Sequence, residues 1–209
     1  MDYFSGAITD EAGLREIYAS PPPRAWDKVV GEMDALAREF VACAPIVFVG
    51  SYDAGGRCDV TPRGGPPGFV GVAEDGTVLI PDATGNKRID TFRNVVQTGR
   101  VGLVFVIPGR GQTLRVNGRA CVTARPDVLD GLTAVGKPPM LALVVAPDEV
   151  FTHCPKAFVR SHLWEPQTWP DASTQPDPAA LSHGHLGDPT LTVEDVRQSQ
   201  VDSLLYRLD

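Results

Sequence analysis

The sequence lacks any apolar run long enough to cross a bilayer. Its longest apolar stretches, such as residues 101–107, have strand length and fall far short of the roughly 20 residues that a spanning helix needs. Residues 1–5 also lack the basic and apolar regions of a secretory signal. We therefore expect a soluble, cytoplasmic protein with no membrane partner.

Basic residues are in the minority, with 19 Lys and Arg against 26 Asp and Glu and a net charge of −7. General nucleic-acid binders need a surplus of cations to contact phosphates, so we expect no nucleic-acid partner. Neither G-x-G-x-x-G after a strand nor a GK[S/T] phosphate loop occurs. The usual nucleotide-binding signatures are therefore excluded.

Cysteine is sparse, and the four cysteines form no C-x-x-C pair: Cys43, Cys58, Cys121 and Cys154. This usage predicts small buried apolar side chains in a reducing cytosol, rather than a disulfide or zinc framework. His153 beside Cys154, and the pair His183 and His185, have no further ligands at suitable spacing. We expect no metal site.

The N-terminal part of the chain has helical periodicity. One predicted helix opens near Asp10 and carries Leu14, Ile17 and Tyr18 on one face. A proline-rich break follows, and a second helix is predicted over residues 26–42, where apolar residues recur at three- and four-residue spacing.

From residue 45 the periodicity becomes that of β-strands. The predicted strands cover residues 45–52, 57–62, 68–73, 77–81, 100–107, 113–123 and 140–145. Tight turns are predicted at residues 53–56 and 74–76, and helices at residues 88–98 and 126–135. The pattern predicts a mainly β (α+β) fold, a closed antiparallel barrel with peripheral helices.

The C-terminal part, from residue 164 to 189, is rich in Pro, Asp, Ser and Thr and predicts an irregular arm, followed by a helix over residues 193–208. We expect one structural domain overall. Within it, residues 1–44 would pack on a barrel of residues 45–165, and residues 166–209 would form the arm.

Two polar segments stand out where strands meet turns. Residues 59–69 place Arg63 among glycines and prolines, which fix the backbone and leave room for a ligand. Residues 85–88, Gly-Asn-Lys-Arg, open a predicted helix, where cations oppose the helix dipole unless an anion is bound. The alternatives are a solvated loop for the first segment and unliganded surface charge for the second.

Two further segments carry cations. In the predicted strand 113–123, Arg115 is a candidate for ligand contact, and Arg119 is expected to face solvent. Lys156 and Arg160 are four residues apart on a predicted helix that starts near Pro155, so they share a face.

Together these segments resemble the pyridoxamine 5′-phosphate oxidase-like family of FMN-binding split barrels, in its branch of probable FMN-dependent bacterial proteins with unassigned substrates. The resemblance covers about residues 8–170. Four stretches carry it in order: DVTPRG (59–64) with PPGFV (66–70), LIPD (79–82) with GNKRID (85–90), VGL (101–103) with FVIPG (105–109) and LRVNGRA (114–120), and HC (153–154) with KA (156–157) and RS (160–161).

The resemblance implies a six-stranded split barrel that forms a homodimer with FMN at the interface, and an FMN-dependent oxidoreductase acting on a small molecule. It implies these cofactor-binding residues: Thr61, Arg63, Pro81, Gly85, Asn86, Lys87, Arg88, Arg115, Lys156, Arg160 and Trp164. No catalytic residue is assigned.

The sequence departs from the family pattern in two places. Gly65 stands where this branch has an acidic residue, and the C-terminal residues that seat substrate in true pyridoxamine phosphate oxidases have no match. That specific activity is therefore not implied. The alternatives are a flavin-binding module without turnover, an F420 carrier, or a haem protein with His153, Cys154 or His162 as axial ligand.

Overall fold

Seven strands form one antiparallel sheet in the computed structural model, which describes residues 1–83, 85–134 and 136–208. The strands are β1 Ile46–Tyr52, β2 Cys58–Gly64, β3 Gly71–Val72, β4 Val78–Pro81, β5 Arg100–Val106, β6 Thr113–Thr123 and β7 Ala142–His153. The α-helices are α1 Glu11–Ile17, α2 Arg24–Asp27, α3 Ala35–Cys43, α4 Asp90–Thr98, α5 Pro126–Leu129, α6 Lys156–Arg160, α7 Pro178–Leu186 and α8 Val193–Tyr206.

The sheet curls so that its two ends approach each other. Its order is β2-β1-β5-β6-β7-β4-β3, so four strands separate β2 from β4. In a flat sheet five strand spacings would hold these strands about 24 Å apart. Instead, the guanidinium of Arg63 on β2 lies 3.3 Å from the carboxylate of Asp82, the residue after β4. The mainly β split-barrel fold is therefore confirmed, with seven strands where the family resemblance implied six, since the two-residue β3 pairs with β4.

The core fills the concave face of the sheet. Val47, Val49, Leu103, Phe105 and Val116 are all buried there, and they alternate with outward-facing residues along their strands. Helices α3 and α4 add further buried apolar side chains to this core: Ala37, Val41, Phe92 and Val95. Because α4 packs against β1 and β2, its first turn lies beside the inner face of β2.

The N-terminal helices differ from the prediction. The helix predicted over residues 26–42 is two helices, α2 and α3, because Val30 between them pairs with Val150 of β7 through two backbone hydrogen bonds of 3.1 and 2.7 Å. Helix α3 begins only after Asp34, whose carboxylate accepts from the Ala37 amide at 2.8 Å. Tertiary pairing with the barrel thus overrides the helical periodicity.

Other predicted boundaries were also wrong. The helix predicted from residue 88 begins at Asp90, and the one predicted over residues 126–135 ends at Leu129, while Val135 lies outside the described residues. The strand predicted over 68–73 keeps only Gly71–Val72. The last strand begins at Ala142 and continues to His153, well beyond residue 145, because the long β6 offers pairing partners along its whole length.

The C-terminal part and the cysteines also differ from expectation. The segment predicted as an irregular arm contains helix α7, which packs against α8 through an ion pair of 2.9 Å between Asp177 and Arg197. All four cysteines are free, yet they are exposed rather than buried. Within the described ranges, no helix is long and apolar enough to cross a membrane.

Candidate functional site

A cavity of about 340 Å³ opens between the inner face of β2, the residues after β4, and the start of α4. Its lining residues come from three segments: Asp59, Val60, Thr61 and Arg63; Asp82, Ala83, Gly85, Asn86, Lys87, Arg88 and Ile89; and Asp90, Thr91 and Phe92. The two polar segments singled out in the sequence, which are 16 or more residues apart, therefore meet at one place.

Strand β2 supplies three polar groups to this cavity. Along β2 every second residue is partly buried, and these are Asp59, Thr61 and Arg63. Their partners on β1 are Ser51, Val49 and Val47, which face the core. Strand alternation therefore points all three polar side chains inward, as the period of two requires.

Arg63 is held on two sides. Its guanidinium lies 3.3 Å from the Asp82 carboxylate and 5.6 Å from the centroid of the Phe92 ring. Its side chain is only 24% exposed. The aromatic face and the carboxylate fix the planar group at the cavity wall, where it can form two parallel hydrogen bonds to an anion.

The turn before α4 has an unusual backbone. The angle φ is +50° at Gly85, +60° at Lys87 and +54° at Ile89, and it is positive at neither Asn86 nor Arg88. Alternating signs of φ turn successive backbone N–H groups toward one side and form an anion-binding concavity. A left-handed conformation at the β-branched Ile89 is strained, and such strain concentrates at functional sites.

Helix α4 directs its N-terminus at the same cavity. Ile89 is the N-cap and provides no side-chain hydrogen bond to the first turn, whose residues Asp90, Thr91 and Phe92 line the cavity. The first-turn N–H groups of a helix have no partner within the helix and carry partial positive charge. Lys87 and Arg88 precede the helix and do not open it, so the conflict with the helix dipole is weaker than the predicted start implied.

Acidic residues balance the cations of the cavity. Arg88 donates from Nε to Asp90 at 2.7 Å, and the Thr91 hydroxyl donates to Asp59 at 3.2 Å. Burial raises the pKa of Asp82 above its usual value, and the Arg63 guanidinium beside it acts in the opposite direction. Among the described residues, Lys87 is the cavity cation that has no ion pair.

These acids were missed in the sequence, although two signals indicated them. Asp59 lies on the same strand face as Thr61 and Arg63, two residues before Thr61. Asp82 directly follows Pro81 at the end of a buried strand. The period of two along β2 therefore indicates Asp59 as a residue of the site, and the position of Asp82 after a buried strand indicates Asp82.

The structure gathers six of the candidate cofactor-binding residues around this cavity: Thr61, Arg63, Gly85, Asn86, Lys87 and Arg88. Pro81 is buried at the end of β4, next to Asp82. Four other candidates lie elsewhere: Arg115, Lys156, Arg160 and Trp164. Thr84, within the same turn segment, lies outside the described residues.

Arg115 lies on the opposite face of the sheet from Arg63. The β-ladder joins Arg63 to Val47, Val47 to Phe105, and Phe105 to Leu114, so these four side chains share the inner face. Arg115 is the next residue along β6 and therefore points outward. Its guanidinium lies 5.2 Å from the Phe151 ring centroid, and its Nε is buried without a hydrogen-bond partner.

The other three candidates lie on helix α6 or just after it. Lys156 and Arg160 share its exposed surface, as predicted. Trp164 donates from its indole nitrogen to the Arg110 carbonyl at 2.9 Å, and its ring packs edge-on against Phe158 at 5.5 Å between centroids. These contacts fix the segment after α6 on the turn between β5 and β6.

The residues named for the alternatives take no part in the cavity. His153, Cys154 and His162 are exposed and outside its lining, and His162 lies 3.1 Å from Glu165. In the part of the chain that the structure describes, no three His, Cys, Asp or Glu side chains are close enough together to hold a metal ion. Arg119 is 70% exposed, as expected, and lies 3.8 Å from Asp148.

A model of one protein family matches residues 33–154, more than half of the 209 residues, and that family is described as pyridoxamine 5′-phosphate oxidase. The chain belongs to the pyridoxamine 5′-phosphate oxidase family. The matched region runs from the residue before Asp34 through the whole sheet, so it includes every residue that lines the cavity. No curated protein matches the chain.

Several solved structures are similar to this chain. A variant of HupZ from Group A Streptococcus is 16% identical, with 58% of this chain and 99% of that chain covered and a TM-score of 0.48. A putative pyridoxamine 5′-phosphate oxidase from Lactobacillus delbrueckii is 20% identical, with 58% and 95% covered and a TM-score of 0.46.

An FMN-binding protein from Syntrophomonas wolfei is 13% identical, with 67% of this chain and 96% of that chain covered and a TM-score of 0.40. Similarities this low assign neither a ligand nor an activity to the chain.

Proposed function

We propose that this protein binds FMN, with the phosphate in the cavity between β2 and α4, and that it acts as an FMN-dependent oxidoreductase on a small molecule. One observation carries the proposal: the turn of residues 85–89, with alternating signs of φ and two cations, faces Arg63 across the cavity. Backbone N–H groups, a helix N-terminus and a fixed guanidinium are the donors that a phosphate monoester takes.

The cavity fits one end of FMN better than the whole molecule. Its lining is mostly polar, with Ile89 and Phe92 as its larger apolar side chains. Such a lining suits a phosphate and a hydroxylated chain, whereas a flat tricyclic ring needs a larger apolar surface. The ring would therefore extend beyond the cavity, along the exposed edge of β2.

A second copy of the chain would complete the site. Arg115 and Arg63 lie on opposite faces of the sheet, so one molecule of FMN can contact both only if they come from different chains. The outer face around Arg115 exposes apolar side chains on β1 and β2, including Phe48, Tyr52 and Val60. We therefore propose a homodimer with FMN at its interface. We also propose a cytoplasmic location, since all four cysteines are free.

In this arrangement the protein would supply binding and orientation, and the flavin would supply the redox chemistry. The groups lining the cavity would hold the phosphate and the ribityl chain. Arg115 or Lys156 of the second chain would place a positive charge beside the flavin ring, where it favours the reduced anion. Lys156 and Arg160 have no ion pair within the described residues, so both are free to take such a role.

The same geometry also serves a flavin-binding protein without turnover, because every polar group in the cavity can be assigned to binding alone. An NAD(P)H oxidation assay with a panel of electron acceptors separates the two functions. Turnover supports the oxidoreductase, and bound, reducible FMN without turnover assigns a flavin carrier.

The phosphate site is tested by Arg63→Ala and Lys87→Ala, with Arg57→Ala as the matched control. Arg57 lies on the hairpin between β1 and β2, is 92% exposed and is outside the cavity. A hydrogen bond to a charged group contributes about 1.5–3 kcal/mol, so each cavity variant should bind FMN roughly 10- to 100-fold more weakly.

The measurement is the flavin absorbance of the purified protein, followed by titration of the apoprotein with FMN. Wild type and Arg57→Ala should carry FMN, and both cavity variants should emerge largely as apoprotein. Full FMN occupancy in both cavity variants would refute the site. A Soret band in place of flavin absorbance would refute the cofactor.

A further inference from the structure

The charges that line the cavity are balanced before any ligand arrives. Three cations, Arg63, Lys87 and Arg88, face three acids, Asp59, Asp82 and Asp90. Two of the cations are already paired, Arg63 with Asp82 and Arg88 with Asp90. An incoming anion must therefore compete with carboxylates of the protein itself.

The two ion pairs differ in burial, which decides which one opposes the anion. The side chains of Arg88 and Asp90 are 74% and 33% exposed, so water screens their attraction and Arg88 can turn away at little cost. Arg63 and Asp82 are 24% and 13% exposed. Asp82 thus lies with little water around it, against the guanidinium that a phosphate would take.

We propose that Asp82 is the exchangeable counter-ion of this site, which releases Arg63 to a bound phosphate-class anion and takes up a proton as it does so. The inference rests on the proposed phosphate site and adds to it a coupling between anion binding and proton uptake.

Asp82 takes up a proton on anion binding because the charges around its carboxylate change. In the free site, burial raises the pKa of Asp82 and Arg63 opposes that rise. When the anion takes Arg63, the opposing effect is lost and a like charge enters the same cavity, so the proton is held more tightly. The protonated carboxyl can then donate a hydrogen bond to the anion. Affinity for the anion should therefore increase as pH falls.

The other charged groups around Asp82 do not remove this coupling. Lys87 and Arg88 come from the turn, Asp59 from β2 and Asp90 from α4, and no histidine lines the cavity among the described residues. Lys87 and Arg88 also line the cavity and attract the anion alongside Arg63. Asp82 is the acid in direct contact with Arg63.

Calorimetric titration tests the proposal with two probes, FMN and inorganic sulfate, in buffers of different ionisation heat between pH 5 and pH 8. The dependence of the heat on the buffer gives the number of protons taken up on binding. Sulfate keeps its charge over this range, so its proton count reports on the protein alone. The variant is Asp82→Asn, and the control is Asp127→Asn, an exposed acid paired with Arg125 away from the cavity.

Wild type and Asp127→Asn should take up protons on binding sulfate, and Asp82→Asn should take up almost none. At pH 8 Asp82→Asn should bind both probes more tightly than wild type, because the variant has no carboxylate charge that must be neutralised before the anion binds. The advantage should shrink toward pH 5.

Equal proton uptake by wild type and Asp82→Asn would overturn the inference. So would weaker binding by Asp82→Asn at every pH, which would make Asp82 only a support for Arg63. Sulfate binding with the expected proton uptake but no FMN binding would overturn the proposed cofactor and support the role of Asp82. Binding of neither probe by wild type would overturn both.

Discussion

The bulge between β6 and β7 allows the fold to be tested by a single added methyl group. The register of the two strands shifts between Asn117 and Gly118. A Cβ atom at position 118 would lie 2.2 Å from the Ala146 carbonyl oxygen and 3.0 Å from its carbon. Both are backbone atoms of the neighbouring strand, so no side-chain rotation can relieve the overlap. Gly118→Ala should therefore force the two longest strands apart.

The expected cost follows from this overlap. Overpacking within a close-packed interior costs about 1–3 kcal/mol, and more where backbone has to move. For a chain of this size each kcal/mol lowers the melting temperature by about 2–4 °C, so Gly118→Ala should melt roughly 3–10 °C below wild type. Circular dichroism during heating measures this. The matched control is Gly50→Ala in β1, whose Cβ would lie 3.6 Å from the nearest atom, the Gly102 carbonyl oxygen, at an ordinary contact distance.

Gly50→Ala should melt close to wild type. If Gly118→Ala melts within about one degree of Gly50→Ala, the bulge does not have this geometry and the reasoning fails. The bulge also lies three residues from Arg115, on the strand that presents it to the outer face. Gly118→Ala should therefore weaken the proposed dimer as well, which analytical ultracentrifugation would detect.

Two further predictions concern groups beside the cavity. Asn94→Ala removes the amide that donates a hydrogen bond to the buried Ser51 hydroxyl at 3.0 Å. Urea denaturation should show a free energy of unfolding lower by about 1–3 kcal/mol. The double variant Ser51→Ala/Asn94→Ala should lose less stability than the two single variants added together. Asp82→Asn should raise the melting temperature at pH 7. The pKa of Asp82 is raised, so the folded state binds the proton of this carboxyl more tightly than the unfolded state does. Wild type therefore loses stability as pH rises from about 4 through the folded-state pKa. The gain should vanish below about pH 4, and a gain that persists there would contradict the assignment.

Much of the barrel could be predicted because its strands are long and regular. The period-two pattern of β6 gave its bounds correctly, residues 113–123, and the Gly-rich turn at residues 53–56 marked the hairpin of β1 and β2. The largest errors occur where a partner from elsewhere in the chain decides the local structure. Residues 26–42 have helical spacing, yet Val30 pairs with Val150 and interrupts the helix.

The candidate site shows the same division. The cations at the start of a predicted helix indicated an anion site at residues 85–88, and the structure gathers these residues with Thr61 and Arg63 around one cavity. The acids that balance the cations were not predicted, because Asp82 meets Arg63 only when the sheet curls. A charge count along the chain cannot indicate which opposite charges will be neighbours.

The sequence by itself determined most of the strands, the family and the cations of the proposed phosphate site, since these depend on residue types at short spacing. Only the tertiary structure decided which side chains share a face. Arg63 and Arg115 are both strand arginines, and a register that runs across four strands places one inward and the other outward. Side chains alternate strictly along a strand, so a shift of one residue would reverse that assignment, and long-range pairing sets it.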